Sequence, residues 1–162
     1  MLKLVKFPNN ILREPINAFD FYNPEWNPED LEKVMIDFMF EHNGIGLAAN
    51  QIGIKARVFV MGHKDSPQLA QAFFNPQVVE ASDEIDDLEE GCLSFPGVFV
   101  KVKRPKEIKA LWQDKTGQFR TGNLIGYDCK CFLHELDHLE GIVYKDRVSN
   151  LKWSLANKRI KN

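Results

Sequence analysis

The sequence predicts an α+β fold in which antiparallel and mixed short sheets pack around a central helix. An amphipathic helical pattern occupies about residues 28–42, short β-type segments fill about residues 57–124, and a second helical pattern covers about residues 124–139. This order lacks the regular alternation of βαβ units, which favours α+β over α/β architecture. The chain has no internal repeat and no linker rich in Gly or Ser, so we expect one domain over residues 1–162.

The first helix has boundary signals at both ends. Asn27 is the predicted N-cap, Pro28 lies where its missing N–H costs nothing, and Gly44 is the predicted stop. Apolar residues recur at helical spacing and predict one buried face. These residues are Leu31, Val34, Met35, Phe38 and Met39.

Four segments in the middle of the chain read as strands bounded by Gly, Pro, Asp or Asn: RVFVM, AFFNPQVV, VFVKVKR and EIKALWQ. In the third segment Val98, Val100 and Val102 alternate with larger or charged residues, which is typical of a half-buried strand. Residues 114–117 form a predicted hairpin turn, so antiparallel pairing is favoured.

The acidic segment DEIDDLEE carries six carboxylates in eight residues. A calcium loop is one interpretation, but the spaced ligands and turn glycine of an EF-hand are absent. We therefore expect a solvated surface loop, with Glu90 as an exception.

Composition narrows the function class and the compartment. Lys and Arg number 21 against 23 Asp and Glu, which argues against general nucleic-acid binding, although residues 141–162 hold six basic side chains and one acidic. No apolar run could span a bilayer and the start lacks a secretory pattern, so a cytoplasmic protein with no membrane partner is expected. Three cysteines are few for a disulfide scaffold and suit a reducing compartment.

The strongest chemical pattern is HELDH near the end of the second helix. His134 and His138 are four residues apart, so their imidazoles lie on one helix face and can share a cation, while Glu135 can reach a water beside it. The competing interpretation is an amphipathic helix with two surface histidines.

A catalytic metal site needs a third protein ligand and an open position for water. Cys92, within the sequence EGCLS, is the preferred candidate, and Cys131 is its rival because it lies one turn before His134. Cys131 is otherwise expected in the wall of the site with Tyr127, and Cys129 is expected in the core.

Residues 44–51, GIGLAANQ, form a predicted loop of small side chains after the first helix. One interpretation is structural, with glycines for the turn and alanines for close packing. The other is functional: small residues admit a substrate backbone, and the Gln51 amide points a donor at a polarised carbonyl.

Together, GIGLAANQ, EGCLS and HELDH resemble the three signature motifs of the peptide deformylase family, in the same order. The resemblance is strong over residues 44–141 and looser over residues 6–15. It implies a peptide-deformylase-like fold and an enzyme that removes the formyl group from formyl-methionyl peptides of nascent chains, releasing formate.

The resemblance also implies residue roles. Cys92, His134 and His138 would bind one divalent metal ion, natively Fe²⁺, for which Zn²⁺, Ni²⁺ or Co²⁺ can substitute. Glu135 would be the general base and acid for attack by metal-bound water on the formyl carbon. Gln51 and the backbone N–H of Leu93 would hold the formyl oxygen.

A further set matches family positions around the substrate, and Lys130 lies near the same pocket. This set comprises Gly44, Ile45, Gly46, Glu90, Gly91, Tyr127 and Cys131. Glu90 and Arg104 match a carboxylate and guanidinium that pair beneath the site, and Asp137 is a candidate for orienting a ligand. Leu133 and Phe99 depart from the family, which commonly has Gln and Arg there.

Two other functions remain open from the sequence. A zinc peptidase could use the HELDH pattern, and a non-catalytic metal-containing module of the same fold could bind peptides. The basic tail LKWSLANKRIKN is predicted to form a solvated helix, with docking on the ribosome as the alternative. No sequence-specific nucleic-acid partner is expected.

Overall fold

The computed structural model describes residues 1–160, which form helices and antiparallel sheets. The helices are α1 (Pro28–Glu41), α2 (Gly126–Leu139) and α3 (Asn150–Lys158). The strands are β1 (Gly46–Ala48), β2 (Val58–Met61), β3 (Gln71–Ala81), β4 (Ile85–Cys92), β5 (Phe95–Pro105), β6 (Glu107–Gln113) and β7 (Phe119–Ile125). Short 3₁₀ turns cover Asn10–Arg13, Ala49–Ile52, Pro67–Leu69 and Tyr144–Arg147.

The strands form two sheets, and the pairs within residues 1–160 are all antiparallel. The larger sheet has the order β1-β2-β3-β6-β7, so β1 is an edge strand. The smaller sheet is the β4–β5 hairpin. The α+β prediction is confirmed, and the pairing is antiparallel where the sequence also allowed mixed sheets.

Helix α1 begins as predicted and ends differently. The Asn27 side chain accepts hydrogen bonds from the N–H groups of Glu29 and Asp30, which confirms the N-cap. At the other end Asn43 takes the left-handed conformation, with φ of 59°, and Gly44 N–H donates to Met39 O. Asn43 therefore has the place predicted for Gly44, because a short polar side chain tolerates this conformation.

The predicted buried face of α1 is correct except at one position. Leu31, Met35, Phe38 and Met39 are buried, whereas Val34 is 39% exposed. Helical spacing places Val34 at the border of the apolar stripe, where the periodicity does not separate buried from exposed positions.

Helix α2 begins two residues later than predicted. Leu124 and Ile125 belong to β7, where they pair with Ile108 and Glu107 of β6. Gly126, with φ of 58°, separates strand from helix. The pairing of β7 with β6 joins residues that are distant in the sequence. An apolar residue such as Leu124 fits either the end of a strand or the start of a helix, so the sequence pattern alone did not place the boundary.

The acidic segment is a strand rather than the predicted surface loop. Ile85–Cys92 pairs with β5, placing Asp87 opposite Lys103 and Glu89 opposite Lys101. Opposite charges across an antiparallel pair are favourable, so the basic face of β5 compensates the repulsion within β4. The predicted exception of Glu90 is confirmed, because its side chain is buried.

Helix α2 is the central helix that the sequence predicted. One face packs on the larger sheet, where Phe132 makes edge-on contacts with Phe59 and Phe73. The opposite face meets the β4–β5 hairpin, so side chains from both sheets converge on this helix. Cys129 is buried in the core as expected, and its thiol donates to Pro105 O.

The basic tail forms α3, which packs on β5 through Trp153 beside Phe95 and Tyr144. Leu151 and Leu155 on this helix are exposed. None of the helices in residues 1–160 has the length and apolar composition of a bilayer-crossing segment. Lys161, part of the predicted basic tail, lies outside the described residues.

Candidate metal centre

Three side chains from two elements converge beside a cavity of the described residues. Cys92 ends β4, while His134 and His138 lie one turn apart on α2. One ligand atom from each residue lies within 4.8 Å of the others, and Cys92 Sγ is 3.3 Å from His138 Nε2. These are the three ligands that the sequence predicted.

The local geometry of the β4–β5 hairpin places the thiol. Cys92 pairs with Phe95 across a turn made by Leu93 and Ser94, and the strand register shifts between Glu90 and Cys92. A bulge of this kind re-aims a side chain. Cys92 consequently faces α2.

The donor set fits one cation. Bonds of about 2.3 Å to sulfur and about 2.0 Å to nitrogen, at a tetrahedral angle, hold the two donors about 3.5 Å apart. The Cys92–His138 separation of 3.3 Å is close to this spacing. Cys131 does not join the set; its thiol instead points at Ile45 O, 3.7 Å away.

The surroundings of the two imidazoles shift their pKa values in opposite directions. Burial lowers the pKa of His134, but hydrogen bonds with Cys92 and Glu90 raise it overall well above its ordinary value. Burial, followed by the charges of His134 and Arg104, lowers the pKa of His138 well below its ordinary value. The neutral form of His138 is therefore favoured, and a cation bound through Nε2 of His134 would take the place of the proton there.

Glu90 supports His134 from beneath the cavity. One of its carboxylate oxygens, Oε2, lies 2.8 Å from His134 Nδ1, which leaves Nε2 free for a cation. Arg104 donates to both carboxylate oxygens. Burial raises the pKa of Glu90, but these hydrogen bonds with His134 and Arg104 lower it overall to about 2. Both oxygens are thus engaged by the protein, and Glu90 also lines the cavity.

Asp137 continues the buried network and does not touch the candidate ligands. It accepts hydrogen bonds from Arg104 Nη1 at 2.9 Å and from Arg147 Nη2 at 2.7 Å. The predicted pair of Glu90 and Arg104 is present, and it links Asp137 to His134 through hydrogen bonds. Two guanidinium groups thereby balance two buried carboxylates.

Gln51 is fixed so that its amide nitrogen faces the thiol. Its Oε1 accepts from Ala48 N–H at 2.9 Å, and its Nε2 donates to Ser94 Oγ at 3.1 Å and lies 3.5 Å from Cys92 Sγ. The side chain is buried. The amide therefore presents a preorganised donor beside the donor set.

Glu135 is a buried carboxylate with one free oxygen. Oε2 has no hydrogen-bond partner among the described residues. Burial raises the pKa of Glu135 from 4.5 to about 7, although the charge of His134 opposes the shift. A carboxyl group with a pKa near neutrality can both accept and return a proton.

Gly46 passes close to α2. A Cβ atom at this position would lie 2.6 Å from Glu135 Oε1 and 2.7 Å from Cys131 Sγ. Only glycine fits this approach, which gives a physical reason for its place in the predicted motif. Gly46 also belongs to β1, at the edge of the larger sheet.

A cavity of about 670 Å³ opens above the donor set. Its lining includes the predicted site residues Gly44, Ile45, Gly46, Gln51, Glu90, Gly91, Cys92, Leu93, Tyr127, Cys131, His134 and Glu135, together with Lys130 and Phe99. His138 lies beneath it. Leu133, by contrast, packs against the core beside Phe132.

Some contacts were not predicted. Ser94 holds the Gln51 amide, and Arg147 holds Asp137. Ser94 lies inside the EGCLS motif, so its position could have indicated a role. No local pattern distinguishes Arg147, which reaches Asp137 from the turn after α2.

The comparisons with known proteins agree with this geometry. A family model described as polypeptide deformylase matches residues 1–154. The peptide deformylase of Thermotoga neapolitana is 39% identical over 163 residues, covering 99% of this chain and 94% of the relative.

Solved structures are similar as well. The peptide deformylase from Thermotoga maritima has a TM-score of 0.84 and 36% identity, covering 92% of this chain and 98% of its own. A peptide deformylase from Synechococcus elongatus in complex with actinonin has a TM-score of 0.89 and 29% identity, covering 99% of this chain and 88% of its own.

Proposed function

The chain belongs to the polypeptide deformylase family, and from this membership we propose that it hydrolyses the N-terminal formyl group of formyl-methionyl peptides. Water and the formyl peptide give formate and a free amino terminus. The observation that carries the proposal is the convergence of Cys92, His134 and His138 beside the Gln51 amide and the Glu135 carboxylate.

Cys92, His134 and His138 would hold one divalent metal ion, with Fe²⁺ as the proposed native metal. When bound, such an ion lowers the pKa of water towards about 7 and polarises a carbonyl group. Glu90 supports this role, because its contact with His134 Nδ1 directs Nε2 towards the ion.

Gln51 and Leu93 would stabilise the negative charge that develops on the formyl oxygen. The Gln51 amide is held by Ala48 and Ser94, and its second N–H, which faces the weakly accepting Cys92 thiol at 3.5 Å, is the proposed donor to this oxygen. The backbone N–H of Leu93, at the tip of the β4–β5 hairpin, is the second proposed donor.

Glu135 would move the proton. Its carboxylate, which lines the cavity, accepts a proton from the attacking water and then returns it to the departing amine nitrogen. The raised pKa of this carboxyl group, about 7, suits both transfers near neutral pH.

The peptide would bind as an added strand along the edge at Gly44, Ile45 and Gly46, with Gly91 on its other side. An edge strand offers free backbone groups, and extended peptides commonly pair with such edges. The first side chain would enter the cavity beside Tyr127 and Cys131.

We also propose that residues 1–162 are a single catalytic domain acting in the cytoplasm. Ribosome docking through α3 is the remaining partner proposal, supported by the basic residues Lys158 and Arg159. Co-sedimentation with ribosomes should weaken when Lys158, Arg159 and Lys161 are neutralised, and unchanged co-sedimentation would reject this role.

Formate release from formyl-Met-Ala-Ser tests the activity. The protein is purified without oxygen and loaded separately with Fe²⁺, Zn²⁺, Ni²⁺ or Co²⁺, and the acetylated and unformylated peptides serve as controls. We expect formate from the formyl peptide alone. Peptide-bond cleavage would indicate the peptidase alternative, and binding without hydrolysis would indicate the non-catalytic one.

One variant pair and one single variant test the assigned residues. Cys92→Ala should lose bound metal, whereas Cys131→Ala should keep it, and the reverse result would reject the ligand assignment. Glu135→Gln should keep its metal yet lose turnover about 10²- to 10⁴-fold. Retained turnover in this variant would remove Glu135 from the mechanism.

A further inference from the structure

Lys130 is a buried cation that the proposed reaction does not use. It is only 8% exposed and lines the same cavity as His134 and Glu135. Lys130 lies four residues before His134 on α2, which corresponds to about 6 Å along the helix. Lys130 is therefore one helical turn from the donor set, on the side of the cavity that Tyr127 also lines.

The contacts of Lys130 hold its ammonium group without neutralising it. Nζ donates to the backbone oxygen of Glu89 and lies 4.3 Å from the centre of the Tyr127 ring. Within residues 1–160 it forms no ion pair. An ammonium group has three donors, so one carbonyl oxygen and one aromatic face leave donor capacity towards the cavity.

We propose that Lys130 determines specificity for the first side chain of the substrate, an inference that rests on the proposed deformylase function. The substrate class is a formyl peptide whose first side chain carries a neutral hydrogen-bond acceptor near its end. Methionine sulfoxide and glutamine carry such an oxygen, whereas methionine offers only a thioether sulfur.

The surroundings of Lys130 favour a substrate side chain with a neutral acceptor over one that is apolar or negatively charged. A thioether sulfur is a weak acceptor and a hydrocarbon chain has none, so neither fully pairs a buried ammonium group. A carboxylate would pair it but would also face the buried acidic groups Glu90 and Glu135 in the same cavity. An amide or sulfoxide oxygen gains the hydrogen bond without this repulsion.

The test compares kcat/KM on formyl-X-Ala-Ser peptides in which X is methionine, norleucine, methionine sulfoxide or glutamine. The wild-type protein is compared with Lys130→Met, which keeps the chain length and removes the charge. Lys106→Met is the matched control, because Lys106 pairs with Glu84 on the surface and does not line the cavity. Thermal denaturation and metal content are measured for each variant.

We expect wild-type protein to hydrolyse the sulfoxide peptide at least as efficiently as the norleucine peptide. Lys130→Met should lower the sulfoxide-to-norleucine ratio about tenfold, as expected for loss of a hydrogen bond to a charged group, and Lys106→Met should leave it unchanged. A wild-type preference for norleucine over sulfoxide overturns the inference even if Lys130→Met fails to fold. An unchanged ratio in folded Lys130→Met also overturns it. Hydrolysis of formyl-Met-Ala-Ser by wild-type protein separates this failure from failure of the proposed function.

Discussion

Substitution of Gly46 by alanine should disturb the catalytic carboxylate directly. The added Cβ atom would lie 2.6 Å from Glu135 Oε1, whereas ordinary contacts begin at 3.4 Å, so the carboxylate must retreat by about 0.8 Å. Gly46 is not among the glycines with positive φ, so alanine meets no backbone strain there. The effect is therefore steric and is aimed at Glu135 and Cys131.

The size of the displacement sets the expected kinetic effect. A misplacement of about 1 Å can cost about 10²-fold in rate when reacting groups must be aligned. We expect kcat for formyl-Met-Ala-Ser to fall about 100-fold in Gly46→Ala. Bound metal should be retained, because the three atoms nearest to the new Cβ belong to Glu135 and Cys131 and not to the candidate ligands.

The control is Gly62→Ala, which creates an overlap of similar severity at a residue that does not line the cavity. Its Cβ atom would lie 2.5 Å from the side chain of Ala70. We expect Gly62→Ala to lose stability while its folded fraction keeps normal kcat. If Gly46→Ala kept normal kcat and only raised KM, Gly46 would act on the peptide backbone alone and the steric argument would be wrong.

Three further predictions concern the support of the site and the fold. Glu90→Gln should weaken metal affinity about 10- to 100-fold in chelator competition, because His134 loses its charged partner, and unchanged affinity would contradict this role. Tyr144→Phe should lower the free energy of unfolding in urea by about 1–3 kcal/mol, because the phenol donates to buried Val98 O at 2.6 Å; an unchanged midpoint would count against it. Burial raises the pKa of Asp114, but hydrogen bonds from the hairpin lower it overall to about 2. The Asp114 carboxylate therefore stabilises the fold above pH 3.8, the ordinary pKa of this group, and this stabilisation is lost as the pH falls towards 2. Asp114→Asn should flatten this part of the stability-against-pH curve, and a curve identical to that of the wild-type protein would refute the assignment.

Short sequence patterns correctly predicted the helices and strands whose formation depends on residues close together in the sequence. The helical spacing of HELDH, the cap at Asn27 and the alternation of valines in VFVKVKR each depend on residues a few positions apart, and each matches the structure. The strand character of DEIDDLEE was missed because its own charges oppose a strand. Only pairing with the basic residues Lys101 and Lys103 of β5 makes it favourable.

In the site as well, the sequence predicts contacts within one helix better than contacts between distant segments. The histidine pair follows from one helix, but the choice between Cys92 and Cys131 depends on how the tip of the β4–β5 hairpin docks on α2. Helical spacing made Cys131 a credible ligand, yet its thiol faces Ile45 O. The network through Arg104 and Arg147 likewise joins residues from three parts of the chain.

The charges of the buried network explain why the donor set is suited to a divalent cation. Arg104 and Arg147 offset Glu90 and Asp137, so these four groups carry no net charge together. The thiolate form of Cys92 that binds a cation would add one negative charge beside two neutral imidazoles. An isolated negative charge is costly in a buried site, whereas one divalent ion offsets it and leaves a positive charge near the Gln51 donor. Developing negative charge on a substrate oxygen would then be stabilised from both directions, while the Glu135 carboxylate in the same cavity would move the proton.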